Sequence, residues 1–145
     1  MSRADLVDQV LAWIDEVAPA LRHLPGEDEL GASAALVLQV CLPPATVTQT
    51  EIVNRLGASR AGTSQLIHRL ETAGLVTRQP DPNDQRVWLV QATTRGVAAY
   101  AAARETRRSA VHNALSAVPV GQRDNLSAAL PALAALCSAM TPPAT

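Results

Sequence analysis

At 145 residues the chain has the length of one domain, or of one domain with added helices for self-association. Its 48% hydrophobic content suits packed helices, but only Trp13, Trp88 and Tyr100 are aromatic, so the core must come from Leu, Val and Ala, with part of it expected between subunits. The formal net charge is −1 and all twelve basic residues are Arg, which excludes a bulk-electrostatic binder of polyanions: any nucleic-acid contact has to come from locally placed Arg.

Leu6, Val7, Val10, Leu11, Ile14, Val17 and Leu21 recur at helical spacing, so the chain opens with an amphipathic helix over residues 3–22. Pro19 is expected to kink it or to split off its last turn. Residues 23–28, which include Pro25-Gly26, read as a loop, and a second helix over about 30–42 is stopped by Pro43-Pro44. Thr48 caps a short third helix over about 49–56. Glu51, three residues on, completes a capping box, and Gly57 ends the helix. Ser59 caps a fourth helix over about 60–73, which stops at Gly74.

Val76 to Gln79 and Val87 to Gln91 are short β-prone runs. Between them, Pro80-Asp81-Pro82-Asn83-Asp84 cannot extend either strand, because proline lacks a ladder donor and Asp and Asn fold back on their own backbone. The two runs therefore form a hairpin with Arg86 at its tip. Thr93 or Thr94 opens a long fifth helix that reaches about Val118 and is broken by Pro119 and Gly121. A sixth helix over about 122–140 carries Leu126, Leu130, Leu133 and Leu136 and is expected to bend at Pro131; residues 141–145 read as a frayed tail.

Helix, tight Gly-containing turn, helix and Arg-tipped hairpin describe a winged helix-turn-helix, a device for reading double-stranded DNA. The fold class is mainly α, of the α+β kind. Plotted at about 100° per residue, the fourth helix places Leu66, Leu70 and Ala73 on a core stripe flanked by Thr63 and Ile67. Ala61, Ser64, Gln65, His68 and Thr72 occupy the opposite face, with Arg60 and Arg69 on its flanks. Small residues let a helix approach a major groove, Gln can pair bidentately with adenine, and Ser can pair with several base edges. The flanking Arg residues reach phosphates and set register. Arg86 suits a narrow minor groove, where A·T tracts concentrate negative potential; a local pair with Asp84 that stiffens the loop is the plainer reading, and both can hold. Arg78 on the first wing strand is a weaker candidate. The candidate DNA-contacting set is Ser59, Arg60, Ala61, Ser64, Gln65, His68, Arg69, Arg78, Asp84 and Arg86.

Residues 48–96 resemble the MarR family of transcriptional regulators. The family's R-L-x-x-x-G-L-V/W-x-R pattern stands here as Arg69-Leu70 through Gly74-Leu75-Val76 to Arg78. Its P-x-D-x-R wing stands as Pro82-Asn83-Asp84-Gln85-Arg86, and its L-T-x-x-G helix opening as Ala92-Thr93-Thr94-Arg95-Gly96. Each motif is weak alone; in order and at the right spacing they are strong. The resemblance implies an obligate homodimer in which the first, fifth and sixth helices form the dimerisation part. It also implies a pseudo-palindromic operator and a small phenolic, lipophilic or oxidant signal that releases the DNA. It puts Ser64, Gln65 and Arg69 on recognition-helix contact positions and Asp84 and Arg86 on wing positions. Gln65 stands where many relatives are basic, and Ala92 where Leu is usual. The expected organisation is a single MarR-type domain over 1–145, with residues 30–93 as the DNA-binding part and 1–24 and 94–140 as dimerisation helices.

On the fifth helix, Val97, Ala101, Arg104, Arg108, Val111, Leu115 and Val118 follow heptad spacing. Arg104 and Arg108 then face a partner helix. They either pair with acids such as Asp5, Asp8, Asp15 or Glu16 or, with Trp13, line a pocket for an anionic small-molecule effector. Trp13, at the edge of the first helix's apolar stripe, reads first as interface packing. Cys41 and Cys137 show no metal-type spacing and no adjacent group that would activate a thiol, so buried structural cysteines in a reducing cytosol are expected. His23 beside Glu27, Asp28 and Glu29 lacks a tight His/Cys constellation, and no metal or cofactor is expected. No leader segment is visible, and no apolar run approaches the roughly 20 residues needed to span a bilayer. A cytoplasmic location follows, nucleoid-associated when DNA is bound. Two other functions compete with this reading. One is a winged-helix protein-interaction module without DNA binding, favoured only by the low net charge. The other is an enzyme, disfavoured because no nucleophile elbow, phosphate loop, HExxH or paired-carboxylate arrangement is present.

Overall fold

The structure, a computed structural model, describes residues 2–24 and 31–140. The expected loop around Pro25-Gly26, the acids Glu27 to Glu29, the expected second-helix start at Leu30 and the tail 141–145 lie outside the described residues. Helix α1 (Arg3–Arg22) starts with a capping box that sequence reading overlooked. The Asp5 N–H donates to Ser2 Oγ at 3.2 Å and the Ser2 N–H to the Asp5 carboxylate at 2.9 Å. Hydrogen bonding from the Ser2 backbone N–H, and secondarily from the Ser2 side chain, lowers the Asp5 carboxyl from its ordinary value. Pro19 does not split off the last turn, since α1 runs on to Arg22 as one helix.

Helix α2 (Ala32–Val40) ends sooner than its apolar run suggested. Leu42 precedes Pro43, and the residue before proline is pushed out of helical conformation, so Cys41 already serves as the cap. A two-residue strand, β1 (Val47–Thr48), follows; it is too short to leave a periodic signal and was not anticipated. Helix α3 (Gln49–Leu56) has the expected capping box, with Glu51 N–H on Thr48 Oγ1 at 3.2 Å and Thr48 N–H on the Glu51 carboxylate at 2.7 Å. Gly57 ends it in the left-handed region at φ 59°. Helix α4 (Arg60–Thr72) begins where the Gly62 N–H meets Ser59 Oγ at 3.1 Å.

The hairpin consists of β2 (Val76–Pro80) and β3 (Trp88–Ala92), paired antiparallel from Val76↔Ala92 to Pro80↔Trp88. Strand β1 adds to the other edge of β3 through Val47↔Val90 and Thr48↔Leu89, giving the order β1-β3-β2. Val87, expected inside the second strand, instead closes the turn: its N–H donates to Asp84 O at 2.9 Å and its carbonyl accepts from Asp81 N–H at 2.8 Å.

Thr93 caps helix α5 (Thr94–Ser116). Its hydroxyl accepts from Gly96 N–H at 3.0 Å and donates to Gly74 O at 2.7 Å, while its own N–H donates to Leu75 O at 3.0 Å. One residue thus joins the turn after α4 to the start of α5. Helix α6 (Val120–Met140) begins earlier than expected. Gly121 does not break a helix but sits in its first turn, and the Pro119 carbonyl accepts from Gln122 and Arg123, both at 3.0 Å. Helix α6 runs on past Pro131.

The core lies between α2, α3, α4 and the sheet. Leu38, Ile52, Ile67, Val37, Val76, Val90 and Cys41 are fully buried there. Burial pushes the Cys41 thiol up to about 12, against a smaller opposite pull from Arg55. The expected buried character therefore holds for Cys41, whereas Cys137 is exposed. Because the unfolded chain would lose this thiol proton first, stability should fall as pH rises above the ordinary thiol value of 9.0. Mass-mapped alkylation at pH 8 should label Cys41 in the folded protein roughly 100-fold more slowly than in urea. Equal rates would contradict the burial. Helices α1 and α6 contain no buried residue. Leu6, Leu11 and Trp13 on α1 and Leu126, Leu130 and Met140 on α6 are exposed.

Candidate nucleic-acid interface

The core stripe of α4 is rotated from the expected one. Thr63, Ile67 and Leu70 are buried, Leu66 is half-buried, and Ala73 is exposed because it is the C-cap and has left the helix. Thr63 lies in this stripe with its hydroxyl unpartnered among the described residues. A buried orphan hydroxyl is costly, and an apolar group of the same shape removes the cost. Thr63→Val should raise stability by about 1 kcal/mol in urea unfolding; a loss of stability would show that the hydroxyl has an acceptor.

With that stripe packed inward, Ala61, Gln65, His68 and Thr72 stay exposed, as do Arg60 and Arg69; Ser64 is half-buried. Ser59 is exposed but its oxygen is already engaged as the helix cap. Neither Arg60 nor Arg69 has an ion-pair partner among the described residues. The face is therefore a strip of small and polar side chains flanked by two uncommitted guanidinium groups.

The wing tip is braced by its own carboxylates. The Asn83 N–H donates to Asp81 Oδ1 at 2.7 Å and the Arg86 N–H to Asp84 Oδ1 at 3.0 Å. The Asp84–Arg86 contact runs through the backbone, which leaves the exposed Arg86 guanidinium without an ion pair among the described residues. Arg78 is arranged differently: it reaches Glu71 on α4 and the ring of Trp88 on β3. Sequence reading named neither partner. The signal available was the hairpin register, which places Arg78 opposite Val90 and hence diagonal to Trp88 on one face.

Arg104 and Arg108 are exposed on α5 and line one side of an open cavity of about 940 Å³, with Gln39, Leu42 and Tyr100 among its other walls. Trp13 is not among its lining residues, so this cavity brings together Arg104 and Arg108 without Trp13. Arg108 pairs with Glu105 on its own helix at 3.5 Å. Among the described residues, no helix is long and apolar enough to cross a membrane.

Capped α3, turn, α4 and a three-stranded wing define a winged helix-turn-helix protein. Residues 32–87, which run from α2 into the wing, match the family model described as MarR family. No curated protein matches the sequence. Among solved structures, the transcriptional regulator BldR from Sulfolobus solfataricus is 22% identical with a TM-score of 0.79, covering 97% of this chain and 100% of its own. YusO from Bacillus subtilis is 17% identical with a TM-score of 0.69, covering 92% and 98%. BpsR from Bordetella bronchiseptica, whose DNA binding is regulated by 6-hydroxynicotinic acid, is 18% identical with a TM-score of 0.64, covering 89% and 98%. The chain thus has the fold of MarR-type transcriptional regulators across nearly its whole length.

Proposed function

We propose that this chain is a dimeric, sequence-specific regulator of transcription, acting as a repressor from a pseudo-palindromic double-stranded operator. One observation carries the reading: an exposed polar face on α4 lies between two unpaired Arg residues and is followed by a carboxylate-braced wing that leaves Arg86 free. In this reading Gln65, Ser64 and His68 meet base edges, Ala61 permits close approach, and Ser59 fixes the helix start. Arg60, Arg69 and Arg86 hold the DNA backbone or minor groove. Residues 30–93 form the DNA-binding part, and 1–24 and 94–140 the dimerisation helices. The dimer is supported by the apolar residues that α1 and α6 leave exposed. A small-molecule effector is supported by the cavity beside Arg104 and Arg108 and by the regulation of BpsR by an organic acid; Trp13 reaches such a ligand only if a second copy supplies it. The activity is binding without catalysis, in the cytoplasm, at the nucleoid when operator is bound.

The test is selection of genomic fragments by the purified protein, with salt-titrated anisotropy on the best fragment. The expected result is an enriched inverted repeat with half-sites about one turn, near 34 Å, apart, bound by a dimer and weakening steeply with salt. No enrichment at low salt would favour the protein-interaction module instead, the reading that the net charge of −1 supports.

A further inference from the structure

Arg78 is the one wing arginine whose charge is already spent. Its Nη2 lies 2.6 Å from Glu71 Oε2 and its Nε donates to the same oxygen at 2.9 Å. Both side chains are about two-thirds buried, at 28% and 33% exposure, where an ion pair is less screened than at the surface. The guanidinium carbon sits 5.7 Å from the centre of the Trp88 ring, within cation–π range. Glu71 belongs to the last turn of α4, Arg78 to β2 and Trp88 to β3. The contact therefore spans the turn at Gly74, which takes the left-handed conformation at φ 71° between α4 and the wing.

We infer that Arg78 is a positioning residue: clamped between Glu71 and Trp88, it locks the angle of the wing to α4 and does not itself hold DNA phosphate. The inference rests on the DNA-binding reading for its function, though not for its geometry. A strand rises about 3.3 Å per residue, so the wing tip lies roughly 17 Å beyond the base of β2. A swing of about 10° at that base would carry Arg86 about 3 Å, the full length of a hydrogen bond. Without the clamp, the α4 face and the wing tip no longer present one rigid surface, and Arg86 must be ordered at the moment of binding.

The two roles of Arg78 predict opposite signs for its partner. If Arg78 held phosphate, Glu71 would repel the same phosphate, and Glu71→Gln would tighten binding. If Arg78 positions the wing, Glu71→Gln weakens binding about tenfold, Arg78→Gln does the same, and the double variant is no worse than either alone. The salt dependence separates them again. Loss of a phosphate contact lowers the slope of log K against log salt by about 0.9 per contact, as Arg86→Ala should; Arg78→Gln should leave the slope unchanged. The swap Glu71→Arg with Arg78→Glu should recover most of the affinity.

The experiment measures these variants by salt-titrated anisotropy on a fragment selected by the wild type. It adds amide hydrogen exchange of the β2 and β3 ladder in the free, full-length protein. Exchange about tenfold faster in Glu71→Gln and Arg78→Gln, with the wild-type melting temperature kept, is the expected result. Unchanged exchange, tighter binding by Glu71→Gln, or a reduced salt slope in Arg78→Gln would each overturn the clamp. If no fragment binds the wild type, the regulator reading fails while the exchange data still decide the clamp.

Discussion

Gly96→Ala is expected to destabilise the chain by at least about 3 kcal/mol, a large share of the roughly 5–15 kcal/mol that holds a domain together. A Cβ at this position would overlap the Leu75 carbonyl oxygen and would lie 3.0 Å from the Leu75 carbonyl carbon and 3.1 Å from Leu38 Cδ2. Neither neighbour can yield cheaply. The Leu75 oxygen accepts from Thr93 N–H at 3.0 Å, the Thr93 hydroxyl donates to Gly74 O at 2.7 Å, and Leu38 is fully buried. Relief of the overlap must therefore pull α5 away from the base of the wing and break the Thr93 cap. Thermal melting followed by helical circular dichroism should fall by roughly 10 °C, at about 3 °C per kcal/mol for a chain of this size. Gly57→Ala is the control: nothing lies within 4 Å of its Cβ, and only its φ of 59° opposes the substitution, so about 1 kcal/mol is expected. A Gly96→Ala melt within about 2 °C of wild type would mean that the close approach of α5 to Leu75 is wrong.

This junction also shows what a sequence discloses and what it withholds. Thr93 as a cap and Gly96 three residues later are visible in the chain as a spacing, just as Thr48 with Glu51 and Ser59 before α4 are, because capping involves residues three apart. The proline, asparagine and aspartate of the wing turn act within a few residues and are legible for the same reason. The clash that forbids a Cβ at Gly96 involves Leu75 and Leu38 and cannot be read from local pattern. Strand β1 was missed on the same ground: two residues become a strand only because Val90 and Leu89 lie beside them. The rotation of the α4 stripe follows from packing. Helical periodicity allowed Ala73 a core place, but Ala73 is the cap, and Thr63 took the interior position although it is polar. Gly121 misled in the other direction, since in the first turn of α6 its N–H has no intrahelical bond to lose. For the candidate site, residue type and helical face located Arg60, Gln65, His68 and Arg69. The contacts that set Arg78 apart from Arg86 depend on Glu71 and Trp88, which come together only through the turn and the hairpin register.

Reversing the charge of Arg60, Arg69 and Arg86 together is expected to abolish operator binding while leaving the fold intact. All three side chains are exposed and none has an ion-pair partner among the described residues, so their replacement by Glu should change stability by less than about 1 kcal/mol. Binding has no such margin. In the proposed dimer–operator complex the net charge of −1 supplies no background attraction, so these residues, repeated in each protomer, carry most of the electrostatic pull on the backbone. Six phosphate contacts per dimer correspond to a slope near −5 in log K against log salt, and to about a thousandfold loss between 50 and 200 mM salt. Each single Arg→Ala change should flatten that slope by about 2 in a dimer, and the Arg60 and Arg69 changes should weaken all sequences alike. Gln65→Ala should act differently, leaving the slope in place while relaxing sequence preference by about 1–3 kcal/mol at one base pair, because an amide to a base edge releases no counterion. A triple variant that still bound its fragment with the wild-type slope would move the DNA surface off α4 and the wing. A triple variant that folded, lost DNA and kept its dimer would place the interaction on these three side chains.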